Sequence, residues 1–181
     1  IEPYRHSDVG MILFAVACGD IVNFPSRTGI RWVESTSDGV ETIPAASVIR
    51  DSLKALNKKG IAPVKVLAEH AHKMGIQFQA SFRLAIVGDI PPHDLWRGVK
   101  KFAHRRPDLR MVDKDGTPIE RLSYAFGEVQ DFILGLIREV AEGYDIDGVN
   151  LCFIRGPQFV GYESIVIEDF KKKYGLDPRT L

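Results

Sequence analysis

The sequence predicts an α/β protein with parallel strands, in which helices connect the strands and pack against the sheet. Three apolar runs have the length of strands, and four segments carry the apolar periodicity of helices. Two of the strand-like runs closely follow a helix-like segment. This order is typical of right-handed parallel βα repeats. In sheets of this kind, the loops that follow the strands hold the ligand.

The three predicted strands differ in their patterns. Residues 9–18 form a near-continuous apolar run, as expected for a strand buried on both faces. Residues 76–84 and 148–154 alternate between apolar and polar side chains, so that one face of each strand is polar. The polar members of these two strands are Gln77, Gln79, Ser81, Arg83, Asn150 and Cys152.

The helices are predicted by periodicity and by their end signals. In residues 128–142 apolar side chains recur at i, i+3, i+4, i+7, i+8 and i+11, which forms a stripe that can pack on a sheet. Residues 64–74 follow Pro63 and precede Gly75, the usual asymmetry of helix ends. Weaker patterns predict helices over residues 46–56 and 163–174.

The whole chain, residues 1–181, is predicted to be a single domain because no linker, repeat or low-complexity segment divides it. Residues 25–42 and 88–120 are predicted to be polar loops, and Asp113 to Gly116 a tight turn within the second. Three or four βα units are too few for a closed eight-stranded barrel, which needs about 250 residues. We therefore expect either a half-barrel, as a fragment of a longer barrel, or a small open sheet.

The composition argues against several function classes. Lysine and arginine total 24 against 24 acidic residues, without the clustered basic surface that phosphate binding needs, so nucleic acid is not an expected partner. No apolar run approaches the roughly 20 residues that cross a bilayer, so no membrane association is expected. The two cysteines show neither CxxC nor zinc-ligand spacing, and we expect neither a metal nor another cofactor.

Arg83 and Cys152 end the polar faces of their strands and are the first candidates for a binding site, together with Arg155 just beyond. Arg83 has two interpretations: it forms a salt bridge and only fills space in the interior, or its guanidinium donates two hydrogen bonds at once to sugar hydroxyls or to a substrate carboxylate. Asn150 is expected to be a satisfied polar group of the interior. Cys152 is either a small buried apolar residue or a nucleophile, which would need a histidine or a helix N-terminus beside it. His104, in the second loop, is a candidate acid, base or ligand contact.

Residues 44–157 resemble the family 10-like glycosyl hydrolases of bacteria, which are TIM-barrel proteins. The resemblance rests on the order and spacing of five pieces. These pieces are EHAHKMGIQFQASFR (69–83), HRRPDLR (104–110), DKDG (113–116), RLSYAFGEVQ (121–130) and YDIDGVNLCFIRGP (144–157). The resemblance implies a partial or divergent (β/α)8 barrel with parallel strands, which acts on a carbohydrate at the C-terminal mouth of its strands.

The chain departs from the family pattern at Cys152, where an aspartate is usual. Glycosidases need two carboxyl groups, roughly 5–9.5 Å apart, that flank the scissile bond. A thiol at position 152 cannot take the role of either carboxyl group. Asp147 precedes its strand, where it is expected to cap or orient the turn.

Three alternatives follow for the function. In the first, a hydrolase takes its catalytic carboxyl groups from mouth loops, with Asp20, Asp89 and Glu163 as candidates and Asp108 as a further one, or from a part of the barrel outside these 181 residues. In the second, the barrel binds carbohydrate without turnover. In the third, the scaffold supports unrelated chemistry. The expected substrate contacts are Arg83, His104, Asn150, Cys152 and Arg155.

Overall fold

A computed structural model of the chain describes residues 1–35, 44–86, 102–153 and 159–181. Within these ranges the chain forms seven strands and six α-helices. In chain order these are β1 (Met11–Cys18), β2 (Ile21–Val22), β3 (Ile30–Arg31), α1 (Trp32–Ser35), α2 (Pro44–Lys58), α3 (Pro63–His72), β4 (Gln77–Arg83), α4 (Phe102–Arg105), β5 (Arg110–Val112), β6 (Pro118–Leu122), α5 (Gly127–Gly143), β7 (Gly148–Cys152) and α6 (Ser164–Tyr174).

Five strands form one open sheet in the order β3-β2-β1-β4-β7. β4 pairs in parallel with β1 on one side and with β7 on the other. β2 folds back antiparallel onto the end of β1, and β3 runs parallel to β2. The predicted parallel α/β architecture is therefore confirmed, and the described strands do not close into a barrel.

One face of β4 forms the centre of the hydrophobic core. Its side chains Phe78, Ala80 and Phe82 are fully buried and share one cluster with buried residues of α3 and α5. We call this side of the sheet the helical face. The stripe predicted for α5 is confirmed, because Val129, Ile133, Leu136 and Val140 are all buried.

The other side of the sheet, which we call the open face, is polar along β4. Its side chains come from alternate positions of the three parallel strands, since partners in register lie on the same side. Those positions are Met11, Leu13, Ala15 and Cys18 of β1, Gln77, Gln79, Ser81 and Arg83 of β4, and Gly148, Asn150 and Cys152 of β7. The polar face predicted for residues 76–84 is confirmed.

The outward side chains of β7 differ from the expectation that they pack under a helix. Val149, Leu151 and Phe153 are 36% to 58% exposed. The reason is that β7 forms the edge of the described sheet, so no further strand and helix cover it there. The alternating pattern predicted the strand correctly but could not reveal its position at the edge.

The segment predicted as a polar loop over residues 88–120 contains a β-hairpin in its described part. β5 and β6 pair antiparallel, and residues 113–116 form the predicted tight turn between them, with Gly116 at a positive φ of 90°. The Leu122 N–H of the hairpin donates to the carbonyl of Ile86, three residues beyond β4, at 3.0 Å. These strands are too short and too polar for alternation to reveal them.

None of the helices in the described ranges combines the length and apolarity that crossing a membrane requires.

At the base of the sheet, the carboxylate of Asp147 connects the starts of β4 and β7 with α3. Its Oδ2 accepts the Phe78 backbone N–H at 2.6 Å and lies 2.8 Å from Nε2 of His72. Asp145 lies on the other ring nitrogen, at 3.4 Å. The bond to Asp147 raises the pKa of His72, and the bonds from Phe78 and His72 lower the pKa of Asp147. Asp147 thus orients the turn before β7.

We expect the Leu136→Ala variant to lose about 2–5 kcal/mol of unfolding free energy, because Leu136 is fully buried on α5 and its removal leaves a cavity. Leu134→Ala, two residues away and 50% exposed, is the matched control and should lose less than about 1 kcal/mol. Urea unfolding monitored by circular dichroism measures both. Equal losses in the two variants would contradict the stated orientation of α5.

The contact between His72 and Asp147 should make stability depend on pH. A raised folded-state pKa for His72 adds stability that is fully present below the unfolded-state pKa and is lost as pH rises through the folded value. The lowered pKa of Asp147 adds stability above its unfolded-state pKa, which is lost as pH falls through the folded value. The pair therefore contributes most from about pH 4 to about pH 6.5.

We expect the stability lost in His72→Gln, relative to the parent, to be larger at pH 5.5 than at pH 9 in urea unfolding. His6→Gln, at an exposed position, is the control and should show no such difference. A pH-independent loss in His72→Gln would show that the imidazolium charge has no part in the contact.

Candidate functional site

The three parallel strands end side by side, and their last residues are in register. Cys18 of β1 is the partner of Arg83 of β4, and Arg83 is in turn the partner of Cys152 of β7. All three side chains therefore belong to the open face, with the arginine between two thiols. The predicted convergence of the carboxyl ends of the strands is present in the structure.

A β-bulge in β1 brings Cys18 to this face. The pairing with β4 shifts between Ala15 and Ala17, so that Val16 is an additional residue in the strand. Strict alternation from Ala15 would place Cys18 on the opposite face, among the buried side chains. With the bulge, Val16 and Ala17 are both buried and Cys18 is exposed beside Arg83.

The chain turns sharply directly after Cys18. Gly19 adopts a positive φ of 60°, and its N–H donates to the carbonyl of Arg83 at 2.8 Å. A side chain at this position would approach the carbonyl oxygen of Ala85 to 2.8 Å, so glycine is the residue that fits. This turn fixes the end of β1 against the end of β4.

One layer below the strand ends, Ser81 and Asn150 form a second polar row. The Ser81 hydroxyl donates to Oδ1 of Asn150 at 2.9 Å, and Ser81 is buried. Because Oδ1 accepts this bond, the amide nitrogen of Asn150 stays available as a donor. Asn150 is half-buried.

Arg83 is half-buried on the open face. No hydrogen bond or ion pair joins its guanidinium to another residue of the described ranges. Within those ranges the structure therefore gives no support to the alternative that Arg83 forms a salt bridge and only fills space. A guanidinium in this environment retains its capacity to bind an external acceptor with two parallel N–H groups.

The two thiols lie at the same end of the sheet but do not meet. Both cysteines are free. β4 lies between their strands, so their Cα atoms are roughly 10 Å apart, beyond the roughly 7 Å that a disulfide allows. Arg83 is a register partner of both cysteines.

The carboxyl group of Asp20 lies in the turn between β1 and β2, and this residue is only 2% exposed. Its backbone carbonyl accepts the N–H of Ile30 at 2.9 Å and so connects β2 to β3. The burial of Asp20 favours a role in this turn over direct contact with a ligand.

Glu163 is 3% exposed and precedes α6. Its carboxylate accepts the N–H groups of Gly161, at 2.9 and 3.1 Å, and of Val112, at 3.3 Å. Gly161 lies so close to the hairpin that a side chain there would collide with the carbonyl oxygen of Val112. Glu163 thus connects α6 to β5, and its carboxylate is engaged by backbone.

His104 lies in α4 and is half-buried. The ring of Phe102 in the same helix stacks on Phe132 of α5, with 4.3 Å between the ring centroids.

Asp108 is exposed in the next turn, where its carboxylate pairs with Arg106. Asp89 and Arg155, the remaining predicted site residues, lie outside the described residues.

An aromatic cluster that no pattern in the sequence predicted lies beside the strand ends. The Phe159 ring contacts the rings of Tyr124 and Phe153 edge-on, with centroids 5.6 and 4.9 Å apart. The Tyr124 hydroxyl donates to the carbonyl of Leu84, directly after β4, at 2.6 Å, and burial raises the pKa of this tyrosine. Tyr124 is about 30 residues distant from Phe153 and Phe159 in the sequence, so the fold brings its ring to the other two.

Across the described ranges, no three side chains of His, Cys, Asp or Glu are grouped so that they could hold a metal ion.

We expect Glu163→Ala to lower the free energy of unfolding by about 1–3 kcal/mol, because two backbone N–H groups lose their acceptor. Glu168→Ala, at an exposed position of the same helix, is the control and should change it by less than about 0.5 kcal/mol. Thermal and urea unfolding measure both. Full stability in Glu163→Ala would refute the structural role and favour a functional one.

Comparison with known proteins gives one family. The family model described as glycosyl hydrolase-like 10 matches residues 44–180. The match includes β4 and β7, with Arg83 and Cys152, but not β1 with Cys18. No curated protein matches the chain. Since the family model covers well over half of the chain, and the residues quoted above for the resemblance fall within the matched range, the chain belongs to the glycosyl hydrolase-like 10 family.

Proposed function

We propose that this protein binds carbohydrate at the C-terminal ends of its parallel strands, with Arg83 as the principal donor. Asn150 and Cys152 would contact the same ligand from β7. His104 and Arg155 are proposed to complete the site from the segments that follow β4 and β7. Membership of a glycosyl hydrolase-like family supports carbohydrate as the ligand class.

The observation that carries this proposal is the position of Arg83. Its side chain lies at the end of β4, the middle one of the three parallel strands, where ligands bind in parallel α/β folds. Its guanidinium forms no bond within the described ranges. The amide nitrogen of Asn150 adds a second donor one layer below. Several converging donors are the usual means by which proteins orient a polar ligand.

Hydrolysis is the second candidate, and the family membership favours it. In this alternative Asp20, Asp89 and Glu163 supply the acid and the base or nucleophile. Two accessible carboxyl groups would have to flank the glycosidic bond. Because Asp20 and Glu163 are buried and Glu163 accepts backbone N–H groups, the geometry favours binding without turnover.

To test binding, the protein is applied to an array of immobilised oligosaccharides and the strongest ligands are measured by calorimetry. We expect the parent to bind at least one glycan and Arg83→Gln to weaken that binding by roughly 10-fold or more. Arg138→Gln is the matched control, because Arg138 is exposed on α5 in the helical layer. Glycan binding that is unaffected by Arg83→Gln, or no glycan binding at all, would refute the proposal.

To test turnover, the parent and Asp89→Asn are incubated with a panel of aryl glycosides. For a protein that only binds, we expect no release of the aryl alcohol above the level of the buffer. Release by the parent that is lost in Asp89→Asn would replace the binding proposal with the hydrolytic one.

A further inference from the structure

We propose that the ligand of this site is an acidic sugar whose carboxylate pairs with Arg83. This inference rests on the proposed carbohydrate-binding function and specifies the class of carbohydrate. It derives from the distribution of charge over the open face of the sheet.

The open face carries a single charged side chain within the described residues. Its eleven positions are apolar or neutral polar with the exception of Arg83. The partners of Arg83 in register, Cys18 and Cys152, are uncharged in their thiol form, and the row below consists of Ala15, Ser81 and Asn150. Among the described positions of these three strands, the open face therefore has one cation and no carboxylate that could neutralise it.

A half-buried cation without a counter-ion is unfavourable, because its partial removal from water is not compensated. An anionic group on the ligand would compensate it. Neutral sugar hydroxyls would satisfy the hydrogen bonds of the guanidinium but would leave its charge unneutralised. A carboxylate does both, since its two oxygens match the two parallel N–H groups of arginine.

The neighbours of Arg83 are also compatible with an incoming carboxylate. Neither thiol is an acidic side chain that would compete for the guanidinium from an adjacent strand. The amide nitrogen of Asn150, which remains a donor, can hydrogen-bond an oxygen of the same sugar.

The first experiment compares acidic oligosaccharides with their carboxyl-reduced forms, which keep the sugar rings and lose only the charge. Trigalacturonate and a hyaluronan tetrasaccharide are suitable probes, measured by calorimetry beside neutral and sulfated oligosaccharides. We expect at least one carboxylated probe to bind, with affinity lower by roughly 10- to 100-fold after reduction. Affinity should also fall as salt rises.

The second experiment changes the charge beside Arg83 in the protein. Cys152→Asp places a carboxylate next to the guanidinium and should compete with the ligand, so that affinity for the acidic probe falls roughly 10-fold or more. Cys152→Asn has nearly the same shape as Cys152→Asp without the charge, so the difference in affinity between the two variants measures the effect of the carboxylate. Circular dichroism confirms that both variants are folded.

The outcomes separate the two proposals. If neutral and acidic glycans bind equally and Arg83→Gln weakens both, the carbohydrate site stands and the acidic specificity is wrong. Preference for sulfated over carboxylated probes, or equal effects of Cys152→Asp and Cys152→Asn, would also overturn the acidic-sugar assignment. If no glycan of any kind binds, both proposals fail.

Discussion

The structure depends on the hydrogen-bonded register that holds β4 between β1 and β7. This register aligns the ends of the three strands and at the same time separates a helical face from an open face. A shift of one residue along β4 would expose Phe78, Ala80 and Phe82 and bury the polar side chains of the strand. Because the buried face is so apolar, the packing of the core enforces the geometry of the strand ends.

The same register explains why the site contains an arginine between two thiols. Arg83 and Cys152 occupy equivalent ends of neighbouring strands, and the bulge at Val16 adds Cys18 to the row. The carboxyl groups of Asp20 and Glu163, two of the predicted catalytic residues, are instead buried within the turns and loops that hold this end of the sheet together. The described part of the site is therefore basic and neutral, which distinguishes it from a pair of opposed carboxyl groups.

Much of the fold could be predicted from the sequence, because its long elements have clear periodicities. The apolar stripe of α5 and the alternation in β4 both correspond to buried faces. The face of Cys18 could not be predicted, since an almost wholly apolar run such as residues 9–18 carries no alternation from which a bulge could be read.

The hairpin of β5 and β6 and the exposure of β7 could not be predicted for a related reason. Both depend on contacts between residues that are distant in the sequence. The three residues of β5 are too few for a pattern, and the hairpin is held by contacts such as that between Leu122 and Ile86. Similarly, Val149 and Leu151 alternate with polar residues, as the apolar side chains of a covered strand do. They are exposed because the strand order places β7 at the edge of the described sheet. The aromatic contacts of Tyr124 join residues that no local pattern relates.

The contact of His72 with Asp147 lies at the beginning of β4, and Arg83 lies at its end. The seven residues of the strand separate the two ends by roughly 20 Å. That distance is about twice the range over which charges interact in physiological salt. The charge at His72 and Asp147 is therefore electrostatically insulated from Arg83, so that a change of protonation at the base of the sheet leaves the electrostatics of the strand ends nearly unchanged.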